Sequence, residues 1–299
     1  MLYCPVCYEE TAKSDFESLA THFLSDSLKN DGKHVSWLNR NISKLKLNND
    51  QLSKQLMNFY HVGNDGIKMW IIRDFIQLFR GVNPHPFILG MQEYDVPLLK
   101  GYVVEHHHFL KQWIRSCSYA MAKTDLTEVH DYEIENIVTE MHGYGSNAPS
   151  HHELLIRMGE SLGLERKEIL DSKPLKGTQE AIKIWQKIAS EKSTMEIMSA
   201  MHSLELIANR DLQRYGAKYP YFNPEMLKSP AVSDEVKNFL REGYEADVSH
   251  SYQALSIIQE HCNPDNILDI QSAYLVSSRA FFTFLESRIE RGEMYKNQQ

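Results

Sequence analysis

From about residue 46 onward the chain repeats apolar residues at helical spacing and never alternates them as a strand would. LNNDQLSKQLMNFYHV reads as one helix and GIKMWIIRDFIQLFRG as a second, ended by Gly81. VNPHPFILGMQEYDVP reads as a turn-rich connection, and LLKGYVVEHHHFLKQWIRSCSYAMAK as a long amphipathic helix. Asp125 with Glu128, and Ser150 with Glu153, have capping-box spacing and predict the starts of the next two helices. Gly163 stops the second of these, and Thr178 is the expected cap of a helix running to about Ser190. TMEIMSAMHSLELIANRDLQRYG predicts a further helix, SDEVKNFLREGYEADVSHSYQALSIIQEH a long one, and Asn263-Pro264 the start of the last. Long helices joined by short breaks predict an all-α helical bundle over 46–299, with 1–45 as a small module ahead of it.

Within this pattern several acids and histidines fall on faces that should be buried. Val236, Leu240, Gly243, Asp247, His250, Ala254 and Ile257 trace one helical stripe, with Asp247 and His250 in its middle. Met198, Met201, Glu205, Ala208 and Leu212 form another, interrupted by Glu205. Tyr102, Glu105, His106, Phe109 and Trp113 share a broad face. Glu140 ends one helix beside the stripe Ile134, Ile137, Met141, and His151 and His152 open the next across the break GYGSNAPS. A buried carboxylate must be paired, protonated or bound to a cation. Buried salt bridges to Arg210 or Arg241 would satisfy single acids, but one ion satisfies several at once. Mixed carboxylate and imidazole donors suit Fe(II) or Mn(II), and less well Zn(II).

The N-terminal module carries Cys4-Pro-Val-Cys7, a knuckle spacing, followed by His22 and His34. Phe16, Leu19 and His22 share a helical face, so the layout resembles a Cys2His2 zinc finger binding Zn(II). The Cys7–His22 and His22–His34 intervals are both long, and FLSDSLKNDGK is expected to loop out. The first 60 residues hold as many acidic as basic side chains. A neutral finger favours a structural or protein-docking role over nucleic-acid binding, which needs a basic face.

Composition narrows the classes further. Of 299 residues 42% are hydrophobic and 24% charged, which suffices for a buried core. The net charge of −8 argues against a nucleic-acid or anionic-membrane binder. Four cysteines, two of them in the knuckle, argue against a disulfide scaffold and for a reducing, cytoplasmic setting. The N-terminus lacks the pattern of a signal peptide, and no apolar run is long enough to span a membrane.

Glu140 in N-I-V-T-E-M-H-G, followed by His151 in H-H-E-L-L-x-R-M-x-x-x-L-G-L, resembles the heme-oxygenase-like helical superfamily. That group includes thiaminase II, the pyrroloquinoline-quinone synthesis oxidase and the heme-oxygenase-like diiron oxidases. M-H-S-L-E-L with Glu205, and Y-E-A-D-V-S-H with Asp247 and His250, look like its later ligand helices, and the resemblance covers roughly 60–290. It implies a non-heme iron oxidase or oxygenase, with one or two ions, acting with dioxygen on a small organic substrate, and a homodimer. The implied ligands are Glu140, His151 and His250, then Asp247 and Glu205, and Glu105 after these. The diiron members carry a histidine where this chain has Gly243; Glu242, Glu245 or the run His106–His107–His108 could compensate. Three other readings stay open. A thiaminase-like hydrolase would need Cys117 or Cys262 as nucleophile, and a regulatory or interaction protein would keep a degenerate metal site and dock a partner through its finger. A heme-binding role would need an axial histidine such as His61 or His85.

Overall fold

The computed structural model describes residues 2–28, 31–143 and 149–297, without the side chains of 26–28 and 245–248. Among the described residues there is no strand, only an isolated antiparallel bridge between Tyr3 and Glu10 in the knuckle. Helices α1 (Phe16–Leu28), α2 (Gly32–Asn41) and α3 (Asn49–Tyr60) follow the knuckle. α4 (Gly66–Phe75), the short α5 (Pro86–Gly90) and the long α6 (Val96–Ala122) come next. Then come α7 (Thr127–His142), α8 (His151–Ser161), α9 (Arg166–Leu170), α10 (Lys176–Glu191) and α11 (Thr194–Met201). α12 (Asp234–His261) and α13 (Ile267–Lys296) complete the bundle.

Several ends fall where the spacing predicts. Ser150 caps α8 by accepting from Glu153 N at 3.1 Å, and Gly163 closes it at φ +86°. Others do not. The residue capping α7 is Leu126, without a side-chain bond, rather than Asp125. Thr178 lies buried inside α10, which starts after Leu175. The last helix begins at Ile267 rather than at Asn263-Pro264. The connection expected after Gly81 holds α5, where Pro86 takes the first turn and His85 accepts from Phe87 N at 3.0 Å.

The predicted single helix from Thr194 breaks. α11 stops at Met201, and the chain continues as 3-10 turns over His202–Ile207 and Arg210–Tyr215. Arg80 holds this irregular segment. α4 runs on as a π-turn, Ile76–Arg80, and the fully buried guanidinium donates to the carbonyls of Asn209 at 2.6 Å, Tyr219 at 2.8 Å and Ile207 at 3.2 Å. Backbone groups that a continuous α-helix would pair internally find a side-chain donor instead.

α13 is the central helix, packed along α6, α10 and α11. It meets α6 through two glycines. A Cβ on Gly101 would overlap the Arg288 carbonyl, and one on Gly292 would lie 3.0 Å from Leu98 Cα. The finger is continuous with this bundle: Leu2, Leu19 and Phe23 are fully buried in the same apolar core, and Tyr8 Oη donates to Val276 O at 2.7 Å. The interval between His22 and His34 is not looped out. α1 and α2 occupy it outside residues 29–30, and α2 carries His34 back to the knuckle.

α7 presents the face opposite to the one its apolar stripe predicts. Ile134 and Met141 are about half exposed, whereas Tyr132, Glu133, Asn136 and Thr139 are buried. Its polar side points inward because that side borders a cavity.

Candidate metal centre

In the finger, Cys4 Sγ lies 3.3 Å from His34 Nε2, Cys7 Sγ 3.3 Å from His22 Nε2, and the two imidazole nitrogens are 3.2 Å apart. Zn–N and Zn–S bonds of about 2.0 and 2.3 Å at a tetrahedral centre give edges of about 3.3–3.6 Å, so the four atoms already outline a zinc site. Asp31 Oδ2 holds His34 Nδ1 at 2.9 Å, which fixes the ring nitrogen that faces the metal.

The bundle encloses a cavity of about 100 Å³ between α6, α7, α8, α12, α13 and the 3-10 turn. Glu140, His151, Glu205, Glu242 and His250 all line it, with an apolar wall that includes Phe109, Trp113, Phe239 and Phe281. His151 is central: its Nδ1 lies 3.5 Å from Glu140 Oε1 and 3.7 Å from Glu242 Oε2. Glu140 Oε2, Glu242 Oε2 and His151 Nε2 are buried without a hydrogen-bond partner. Burial and the nearby Glu205 push the Glu140 carboxyl up to about 8, with His250 opposing. Burial raises Glu242 as well and lowers His151, each tempered by the other. Without a cation, Glu140 rests protonated beside a neutral His151 imidazole.

The sequence-derived ligands divide accordingly. Glu140, His151, Glu205 and His250 come together in this cavity. Asp247 belongs to α12, but its side chain lies outside the described residues, as does that of Glu245. Glu105 does not join them. Its fully buried carboxylate accepts from Arg291 Nε at 2.7 Å and from Leu175 N at 3.1 Å, and so is neutralised elsewhere. One residue on, His106 turns into the cavity instead. Arg288 Nη2 donates to its Nδ1 at 2.8 Å, which leaves the proton on Nε2 and makes the ring a donor rather than a ligand. His107 pairs with His152 at 2.7 Å and His108 with Ser172 at 3.0 Å, so neither compensates for Gly243. Glu242, one residue earlier on α12, lines the cavity with an oxygen 3.7 Å from His151 Nδ1.

The thiaminase-like reading and the heme reading through His85 lose the groups they would use. Neither Cys117 nor Cys262 lines the cavity, and burial holds both thiols protonated. His85 is consumed in capping α5 and bonding to Phe282 O.

Residues 73–291 match the TENA/THI-4/PQQC family, and 1–61 match a C2H2 type zinc-finger. The chain belongs to the TENA/THI-4/PQQC family. Among solved structures, the TenA homologue protein from P. horikoshii OT3 is similar at TM-score 0.56 and 12% identity, over 74% of this chain and 93% of that one. A TenA homologue from Pseudomonas syringae pv. tomato DC3000 gives 0.55 and 13%, over 80% and 92%. A domain of unknown function with a heme oxygenase-like fold from Shewanella denitrificans OS217 gives 0.53 and 14%, over 84% and 95%. At such identities the likeness establishes the heme oxygenase-like fold of this TENA/THI-4/PQQC member and nothing about its reaction. No curated protein matches the chain. None of the described helices is long and apolar enough to cross a membrane.

Two residues behind this centre, His202 and Glu133, escape the stripe argument. His202 is fully buried and bonds Glu133 Oε1 through Nε2 at 2.7 Å and Glu205 Oε1 through Nδ1 at 3.2 Å. Burial pulls this imidazole down, but the two carboxylates outweigh it and raise it to about 10. In a 3-10 turn, positions i and i+3 eclipse, which is why His202 meets Glu205. The signal was present in M-H-S-L-E-L, but only for a reader who breaks the helix at Met201.

Proposed function

We propose that this protein is a non-heme iron-dependent oxidase or oxygenase that acts with dioxygen on a small organic substrate. The observation that carries the reading is the set of orphaned atoms, Glu140 Oε2, His151 Nε2 and Glu242 Oε2, in one cavity. Buried polar atoms without partners are costly, and a divalent cation drawn into the cavity would relieve that cost by pulling the donors inward, since as they stand they do not yet lie within one ion's reach of one another. Glu140, His151, Glu205, Glu242 and His250 would hold it, with Asp247 as the residue that the family resemblance adds. One or two Fe(II) ions held there would supply redox chemistry toward dioxygen, and Mn(II) suits the same donors.

The remaining residues serve the substrate. Phe109, Trp113, Phe239 and Phe281 exclude water from the reacting end. The Arg288 guanidinium stacks 4.1 Å from the Tyr102 ring centre and 4.5 Å from that of Phe284, and no carboxylate pairs with it among the described residues. It and Tyr221 offer the cavity a positively charged, hydrogen-bonding end. Glu140, which rests protonated, would give up its proton to a bound cation.

The test is dioxygen uptake. Protein loaded anaerobically with Fe(II) and then mixed with aerated buffer should consume dioxygen in proportion to bound iron, and His151→Ala should abolish the uptake. Iron-loaded protein that consumes no more than the metal-free chain would overturn the reading. In that case a regulatory role with a degenerate site, or one with the finger docking a protein partner, takes its place.

A further inference from the structure

Behind the cavity wall lies a second convergence of donors. Cys117 of α6, Glu133 of α7 and His202 of the 3-10 turn each place one ligating atom within 4.8 Å of the other two. All three are at most 1% exposed. Glu133 Oε2 is buried with no hydrogen-bond partner. The Trp113 and Tyr132 rings stand edge-on to His202, with centres 4.9 and 4.8 Å away, and fix its plane.

We propose that Cys117, Glu133 and His202 form a closed zinc site, distinct from the finger and from the cavity. The donor set selects the metal. A thiolate excludes magnesium, calcium and manganese as natural occupants, while thiolate, imidazole and carboxylate together suit Zn(II). Charge agrees. One thiolate and one carboxylate carry two negative charges, and a divalent cation makes the fully buried cluster neutral. An imidazolium shared by Glu133 and Glu205 accounts for His202 alone. In that arrangement the Cys117 thiol rests against Glu133 as a weak donor, whereas zinc would engage thiolate, carboxylate and imidazole together. Zinc binding forms bonds to Cys117 Sγ, Glu133 and His202 Nε2. It releases to solvent the Cys117 thiol proton and the proton that Nε2 shares with Glu133. Glu133 Oε2 is free to complete the fourth position. His202 Nδ1–H is retained and continues to donate to Glu205, the arrangement in which an outer carboxylate sets the orientation of a metal-bound imidazole. The ion would thereby brace Glu205 where it lines the cavity.

Zinc content of the full-length protein, measured by elemental analysis after removal of loosely held metal, tests this. Wild type should hold two zinc ions per chain, Cys117→Ala one, and Glu140→Gln two. Cys7→Ser should lose only the zinc of the finger. X-ray absorption at the zinc edge of the wild type gives a readout that needs no variant. Two sulfurs per zinc describe the finger alone, whereas both sites together average about 1.5. One zinc per chain at two sulfurs, or a second zinc that survives Cys117→Ala, overturns the proposal. A second zinc lost in Glu140→Gln but kept in Cys117→Ala belongs to the cavity and overturns it equally. None of these results depends on whether the cavity takes up dioxygen.

Discussion

At the scale of single residues, Glu140 and Glu105 make the useful contrast. Both are acids on buried stretches of helix, yet Glu105 has Arg291 and a backbone amide while Glu140 has an unpaired oxygen. Glu140 should therefore register in the pH dependence of metal-free stability. Its folded value is near 8 against an ordinary 4.5. A raised folded pKa stabilises fully below the unfolded value, and that contribution is lost as pH rises from about 4.5 to about 8. The span corresponds to at most about 5 kcal/mol. Thermal unfolding of the metal-free protein between pH 5 and pH 9 should show melting falling with pH up to about 8. In Glu140→Gln the slope should shrink markedly; an unchanged slope would mean that Glu140 is solvated or paired. Glu105 was a natural candidate because residues 105 and 106 share one broad face in sequence. A helix turns 100° per residue, however, and that rotation sends one side chain to α13 and the other into the cavity.

At the scale of elements, the glycine contact between α6 and α13 sets how His106 and Arg288 meet. Gly101→Ala drives a methyl into the Arg288 carbonyl and must part the two helices. Overpacking of this kind costs about 1–3 kcal/mol, to be read as a lowered denaturation midpoint. The same change in an exposed helix position would be neutral or stabilising, so an unshifted midpoint would contradict the close crossing. The long bundle helices were legible because apolar periodicity survives local irregularity, whereas the end of α1, the start of α2 and the short α5 fell in stretches expected to be loops. The stripe on α12 was legible too, with Val236, Leu240, His250 and Ala254 buried as the spacing requires. Two features were not. The break after Met201 depends on Arg80, which lies more than a hundred residues away, as a donor to the freed carbonyls. The reversal of α7 depends on a polar cavity, which makes its Glu133–Asn136–Thr139 side the inward one and leaves Ile134 and Met141 outside.

At the scale of the whole molecule, a zinc finger and a heme oxygenase-like bundle share one apolar core. The finger was legible from its knuckle and two histidines. Its union with the bundle was not, because the contacts of Leu2, Phe23 and Tyr8 are with residues distant in sequence. What distinguishes the molecule from a purely structural helical protein is the unsatisfied cavity, and elemental analysis of the metal-loaded full-length protein addresses that directly. The account predicts iron in addition to zinc. It predicts that His151→Ala and Glu140→Ala lose the iron and keep the finger's zinc, while Glu105→Gln keeps its iron and loses only stability. Wild-type protein that carries zinc alone after loading, or iron that is untouched by His151→Ala and Asp247→Ala, would contradict it.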